Sequence, residues 1–205
     1  MKILITFLSI VLFFAACNNE KSTATQEKTT AVESPNLQED SAAIRKTITD
    51  FYDWYLVNWD KFPTTGLYKG IKKTDMPPYQ IDWKAVDKYH NFIKESVPQL
   101  GNTFIETQKK FFQQCDQEFK KDTEGEIPYG FDYDWYTNSQ EEPKYLIDEM
   151  KNSHNWKTFV SGDDATVEVM RWREDNGQKK EEPIIKFGMK KEAGKWTIAR
   201  IGEPY

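Results

Sequence analysis

Apolar residues recur at steps of three and four through Ile44, Ile48, Phe51, Tyr55 and Trp59, with Tyr52 and Leu56 widening the stripe. That spacing keeps one face of a helix apolar and predicts a long amphipathic helix. Ser41 is a suitable N-cap for it, and Pro63 follows its end. Trp54, Tyr55 and Trp59, with Phe187 and Trp196 from the other end of the chain, read as core. Gly66, Gly70 and the Pro77-Pro78 pair mark a loop. A second helix is expected from Asp82 to about Ser96, carrying Trp83, Val86, Tyr89 or His90, and Ile93, and broken by Pro98 and Gly101. A third is expected from Thr103 to Lys121, with Phe104, Ile105, Phe111, Phe112, Cys115 and Phe119 facing inward.

After a long polar and aromatic loop the period changes from helical to alternating. Strands are expected at Trp156 to Ser161, Ala165 to Arg173, Ile184 to Lys190 and Trp196 to Ile201. Asp163-Asp164, Asp175-Asn176-Gly177 and Ala193-Gly194 supply the turns between them. Helices first and a meander last give an α+β fold: N-terminal helices packed on a curved antiparallel sheet of three to four or more strands. In the second strand, Val167 and Val169 facing inward place Met170 and Trp172 on the opposite face. Alternatively, a bulge reverses the alternation there.

The remaining apolar run, Ile3 to Phe14, follows Lys2 and ends at Ala15-Ala16-Cys17. It is shorter than the roughly 20 residues a bilayer span requires and has the form of a secretory signal. Phe14-Ala15-Ala16-Cys17 resembles a lipobox, with Phe14 in place of the usual leucine. The resemblance implies acylation of the Cys17 thiol, cleavage before it and acylation of the new amine. Two or more acyl chains hold a protein on a bilayer where one is marginal. The expected destination is the bacterial cell envelope, lipid-anchored at the periplasmic face of the outer membrane or at the cell surface.

Between Ala15 and Asp50 the chain has no aromatic residue, whereas all 7 Trp and 10 Tyr lie from Phe51 on. Residues 18–40 are too polar to bury enough apolar surface to offset their ordering, and disorder is expected over them. The organisation read from this is a signal over 1–16, an acylated cysteine and linker over 17–40, and one domain over 41–205. A net charge of -5 argues against a nucleic-acid partner, which needs a basic footprint.

The order of elements, closing on Gly194-Lys195-Trp196-Thr197-Ile198, resembles the NTF2-like (cystatin-like) α+β cone. Phe51-Tyr52-Asp53-Trp54-Tyr55-Leu56 looks like the opening helix of a bacterial lipoprotein family of unknown function within that group. Asp134 to Glu141 resembles that family's acidic-aromatic loop, with Trp135 where a proline is usual. Gly162-Asp163-Asp164-Ala165-Thr166-Val167 matches a strand signature. The resemblance implies the fold and carries over no catalytic residue, because such folds host many functions.

Candidate chemistry is sparse. His90 and His154 are the only histidines, and no phosphate loop, nucleophile elbow or zinc spacing occurs, so neither a metal nor a cofactor is expected. Cys115 among phenylalanines reads as a small buried hydrophobe. His154, beside Asn152, Ser153 and Asn155, reads as solvated loop. The densest segment is Tyr129-Gly130-Phe131-Asp132-Tyr133-Asp134-Trp135-Tyr136. In an extended stretch Asp132 and Asp134 project to one side, where they would suit a hard cation or acid–base work. The segment reads equally as a structural cover or as a contact for a small ligand or an envelope protein. Trp172, between Arg171 and Arg173, is a second contact candidate. Two functions follow: a non-catalytic binding domain, or a hydrolase or isomerase using Asp132 or Asp134 with a tyrosine in a pocket.

Overall fold

The computed structural model describes residues 35–72, 76–124 and 127–203. The expected signal, Cys17 and most of the expected linker lie outside these residues. The fold is α+β. Helix α1 spans Pro35–Asn58 and tightens into a 3₁₀ turn at Trp59–Lys61. A short hairpin follows, β1 (Tyr68–Gly70) and β2 (Tyr79–Ile81), then α2 (Trp83–Ser96), α3 (Asn102–Glu118) and α4 (Pro143–Lys151). The chain ends in a meander of β3 (Asn155–Ser161), β4 (Asp164–Asp175), β5 (Gln178–Glu192) and β6 (Lys195–Ile201), all antiparallel in that order.

The four strands and the three long helices stand where periodicity placed them. Helix α1 begins at Pro35, not at Ser41. The early turn is held by tertiary bonds: Asp40 accepts from Lys191 Nζ at 2.8 Å and from Trp196 Nε1 at 2.7 Å. The β1–β2 hairpin and α4 form where loops were expected. Each is very short, so its own periodicity is weak and packing decides it. In α4, Pro143 occupies the first turn and Ile147 and Met150 are buried.

The core lies between the helices and one face of the sheet. Ile44, Ile48, Phe51 and Tyr52 of α1 meet Phe104, Phe111 and Phe112 of α3 and Val167, Val169, Ile185, Phe187 and Ile198 of the strands. The free edge of β6 is covered by the segment before α3, where Ile198 N donates to Gln99 O (2.8 Å) and Gly101 N to Ile198 O (3.1 Å). This removes one exposed strand edge. The bulge alternative holds in β4: the register shifts between Val169 and Met170, and both are buried. The turn at Asn176-Gly177 takes positive φ at both residues (51° and 76°), the geometry a two-residue hairpin requires.

Helix α3 lacks a capping side chain of its own. Its N-cap is Gly101, and a Cβ there would lie 2.3 Å from Thr197 Oγ1. Glu192, from the end of β5, caps in its place, taking Asn102 N and Thr103 N at 2.9 Å each and Thr103 Oγ1 at 2.7 Å. Burial opposes the charge of Glu192, but the donors of Thr103 and Asn102 outweigh it and hold the carboxyl below its usual range. A group lowered on folding contributes stability above its unfolded pKa, about 4.3, and that contribution fades as pH falls through the folded value. Glu192→Ala is therefore expected to lose about 1 kcal/mol at neutral pH. Urea denaturation should show the gap from the parent protein closing in acid.

Candidate functional site

The loop between α3 and α4 folds over the ends of the helices and is pinned from within. Gly130 takes φ +78°, which lets the chain turn against Phe111 and Cys115. The carbonyl of Gly130 accepts from Trp135 Nε1 at 2.7 Å. Asp134 and Ser139 form an isolated antiparallel bridge, and Asp134 Oδ1 accepts from Tyr136 N at 2.7 Å. That last bond is a side chain imitating a backbone turn. Tyr136 then enters the core, with ring centroids 4.5 Å from Phe62 and 5.2 Å from Tyr55. Its carbonyl takes Tyr52 OH at 2.6 Å. Its hydroxyl pairs with Tyr89 OH, which also takes Gln108 Nε2 at 2.7 Å.

Against the end of α1 this loop leaves a cleft of about 430 Å³, a size that suits a small ligand. Its walls are Tyr55, Trp59, Phe62, Phe131, Tyr133, Trp135 and Tyr136, with Thr64 and Pro143 at the margin. Asp134 is the one charged group among these lining residues. Its Oδ2 accepts from Tyr55 OH at 2.6 Å. Burial, and then the charge of Asp134, raise the Tyr55 phenol far above its usual range. Tyr55 is thus a fixed hydrogen donor to the carboxylate and no base. Among the described residues no lysine, arginine or histidine stands within ion-pair distance of Asp134.

The structure gathers Phe131, Tyr133, Asp134, Trp135 and Tyr136 at this cleft and separates the others. Tyr129 and Asp132 line a neighbouring cleft of about 480 Å³ with Tyr133 and Gln140, where Gln140 Nε2 lies 3.4 Å from Asp132 Oδ2. The expectation that Asp132 and Asp134 share one side is overturned. The chain bends at Asp132 and Tyr133, so the alternation of an extended strand does not apply. A paired-carboxylate mechanism and a two-carboxylate cation site both lose their geometric basis. Among the described residues no group of three or more histidine, cysteine, aspartate or glutamate side chains is placed to hold a metal.

Trp59 also departs from expectation. It is 62% exposed and lines the cleft instead of joining the core, because the 3₁₀ turn rotates it off the stripe of α1. Tyr55 and Phe62 are buried yet form cleft wall. A cluster of aromatics at a helix end just before Pro63 was the signal available for these residues.

Trp172 lies apart from the cleft, on an arm formed where β4 and β5 outrun their neighbours. Residues 171–182 pair only with each other, since β3 stops at Met170 and β6 reaches only Phe187. Trp172 is 56% exposed and stacks on His154, with centroids 5.1 Å apart and planes at 9°. His154 stands in an exposed bend, as expected, with one ring face covered by Trp172. Glu181 anchors the base of the arm, accepting from Lys157 Nζ (2.6 Å), Asn155 Nδ2 (2.9 Å) and His154 Nε2 (3.0 Å). Those partners, Lys157 first, bring its carboxyl down to about 2. Carboxyl NMR titration should find Glu181 ionised through mild acid. Its contribution to the arm should be present above about 4.3, the unfolded value, and lost only as pH falls toward 2.

Cys115 is buried and reduced, and burial pushes its thiol up to about 12, which suits packing and not nucleophilic work. No helix among the described residues is long and apolar enough to cross a membrane. Comparison with family models, with curated proteins and with solved structures finds no match to this chain.

Proposed function

We propose that this chain is a lipid-anchored protein of the bacterial cell envelope whose domain is a non-catalytic binding module, with the cleft between α1 and the Phe131–Tyr136 loop as its site. The anchor rests on the apolar leader ending in Phe14-Ala15-Ala16-Cys17. The domain's likeness to the NTF2-like group rests on the order of its elements and its hairpin motifs. The cleft carries the binding reading: it is aromatic, ligand-sized and holds a single oriented carboxylate, the composition of a recognition pocket with one placed polar group. Both oxygens of that carboxylate are engaged, one by the Tyr55 hydroxyl and one by Tyr136 N, which fixes its position in the cleft. The site is thus equipped to hold a ligand or a partner's side chain.

Two measurements test this. Intact-mass analysis of the mature N-terminus should find glycerol-linked acyl chains on Cys17; a free thiol there ends the anchor reading. Titration of the protein with a panel of small cationic, neutral and anionic compounds should move the indole NMR signals of Trp59 and Trp135 before those of Trp83 or Trp172. A panel that leaves those two signals still removes the cleft as the site.

A further inference from the structure

We infer that the cleft takes a quaternary ammonium group, carried by a small, singly charged solute. The inference rests on the reading of the cleft as the binding site, and it follows from the charge and the hydrogen-bond state of the lining. Asp134 brings one negative charge, and among the described residues no cationic side chain lines the cleft or pairs with it. An anionic ligand is repelled by that charge, and a neutral ligand leaves it unanswered as water is displaced. A cation of either hydration type is attracted, so the choice between them falls to hydrogen bonding.

Each oxygen of Asp134 already accepts one bond from the protein, Oδ1 from Tyr136 N and Oδ2 from Tyr55 OH. These bonds hold the carboxylate still and leave its charge in place. A primary ammonium must find acceptors for three strongly hydrated N–H groups. The spare lone pairs of Asp134 can take part of that set, but seven of the ten lining residues are aromatic and do not complete it as water does. A trimethylammonium group has no donor to satisfy and spreads its charge over methyl groups that ring faces attract. Aromatic walls around one fixed carboxylate therefore favour the methylated cation over the protonated amine. Trp59, exposed at the mouth, is free to complete the wall. A phosphate close to the ammonium, as in a lipid headgroup, would sit beside Asp134 and be disfavoured, which points to a free solute such as choline.

The test uses the full-length protein and four probes: choline, its neutral isostere 3,3-dimethylbutan-1-ol, ethanolamine and phosphocholine. Choline should bind saturably, seen by calorimetry and by the Trp59 and Trp135 indole signals, and roughly tenfold more tightly than the isostere. Ethanolamine and phosphocholine should both be weaker than choline. Asp134→Asn keeps an acceptor for Tyr136 N and removes the charge, so choline and the isostere should then bind within about a factor of three of each other. Trp59→Ala, at an exposed position, should weaken choline without unfolding the domain. Equal binding of choline and the isostere overturns the ammonium assignment while leaving the cleft a binding site. Phosphocholine binding as tightly as choline overturns the free-solute source in favour of a headgroup. A cleft that none of the four probes perturbs overturns the ammonium inference, and silence toward the wider charged and neutral panel as well takes the binding reading with it.

Discussion

Replacing Tyr136 by alanine is expected to destabilise the domain by about 4 kcal/mol, the range found for emptying a buried aromatic site. The residue is 3% exposed and its ring meets Phe51, Tyr55, Phe62 and Phe104. It joins the covering loop to three helices at once. Its ring fills the gap between α1 and α3, and its hydroxyl reaches Tyr89 of α2. Truncation leaves a cavity whose walls belong to different elements and cannot all close in. Equilibrium unfolding in urea should show the loss as a lower midpoint. Tyr136→Phe separates packing from hydrogen bonding: the ring stays, Tyr89 keeps Gln108, and the expected loss falls to about 1 kcal/mol. If alanine and phenylalanine cost the same, the loop is not held by this ring, and the cleft has some other support.

Gly130→Ala is the second large effect, at about 3 kcal/mol from two separate causes. A residue with a Cβ at φ +78° carries a backbone penalty of roughly 1–2 kcal/mol. That Cβ would also lie 2.6 Å from Phe111 Cζ and 3.1 Å from Cys115 Sγ, inside a packed aromatic cluster, and overpacking of this kind adds roughly 1–3 kcal/mol. Gly66 is the internal control. It has φ +77°, but nothing lies within 4 Å of the position its Cβ would take. Gly66→Ala should therefore show the backbone penalty alone, about 1 kcal/mol. The difference between the two variants in denaturant midpoint measures how tightly the loop is seated on α3. Because the loop also forms the cleft, Gly130→Ala should broaden the indole signal of Trp135, whose hydrogen bond ends on the Gly130 carbonyl.

Both substitutions bear on residues whose importance was only partly visible in the chain. The segment from Tyr129 to Tyr136 stands out by its density of rings, and five of its residues do meet at the cleft. What the segment does with its carboxylates was not visible. Two residues apart means one side only in an extended strand, and the bends at Asp132 and Tyr133 send the two groups into different clefts. Trp59 misled in the same manner. It continues the apolar stripe of α1 by spacing, but the helix ends one residue before it, and the side chain that periodicity assigns to the core stands at the mouth of the site.

The chain by itself determined whatever depends on neighbours in sequence. Helix α2 and its Asp82 cap, the inward face of α3, the four strands and the Asn176-Gly177 turn are all local. Each follows from a period or from the conformational preference of one residue. Tertiary structure alone decided the early start of α1, fastened by Asp40 to Lys191 and Trp196, and the capping of α3 by Glu192 across the fold. It alone formed β1, β2 and α4, which are too short to hold their shape unaided. It also decided the cleft, whose lining comes from α1, the turn after it, the covering loop and the start of α4. Periodicity shows which side of an element turns inward, and it carries no information about which distant elements meet there or what charge they leave uncompensated.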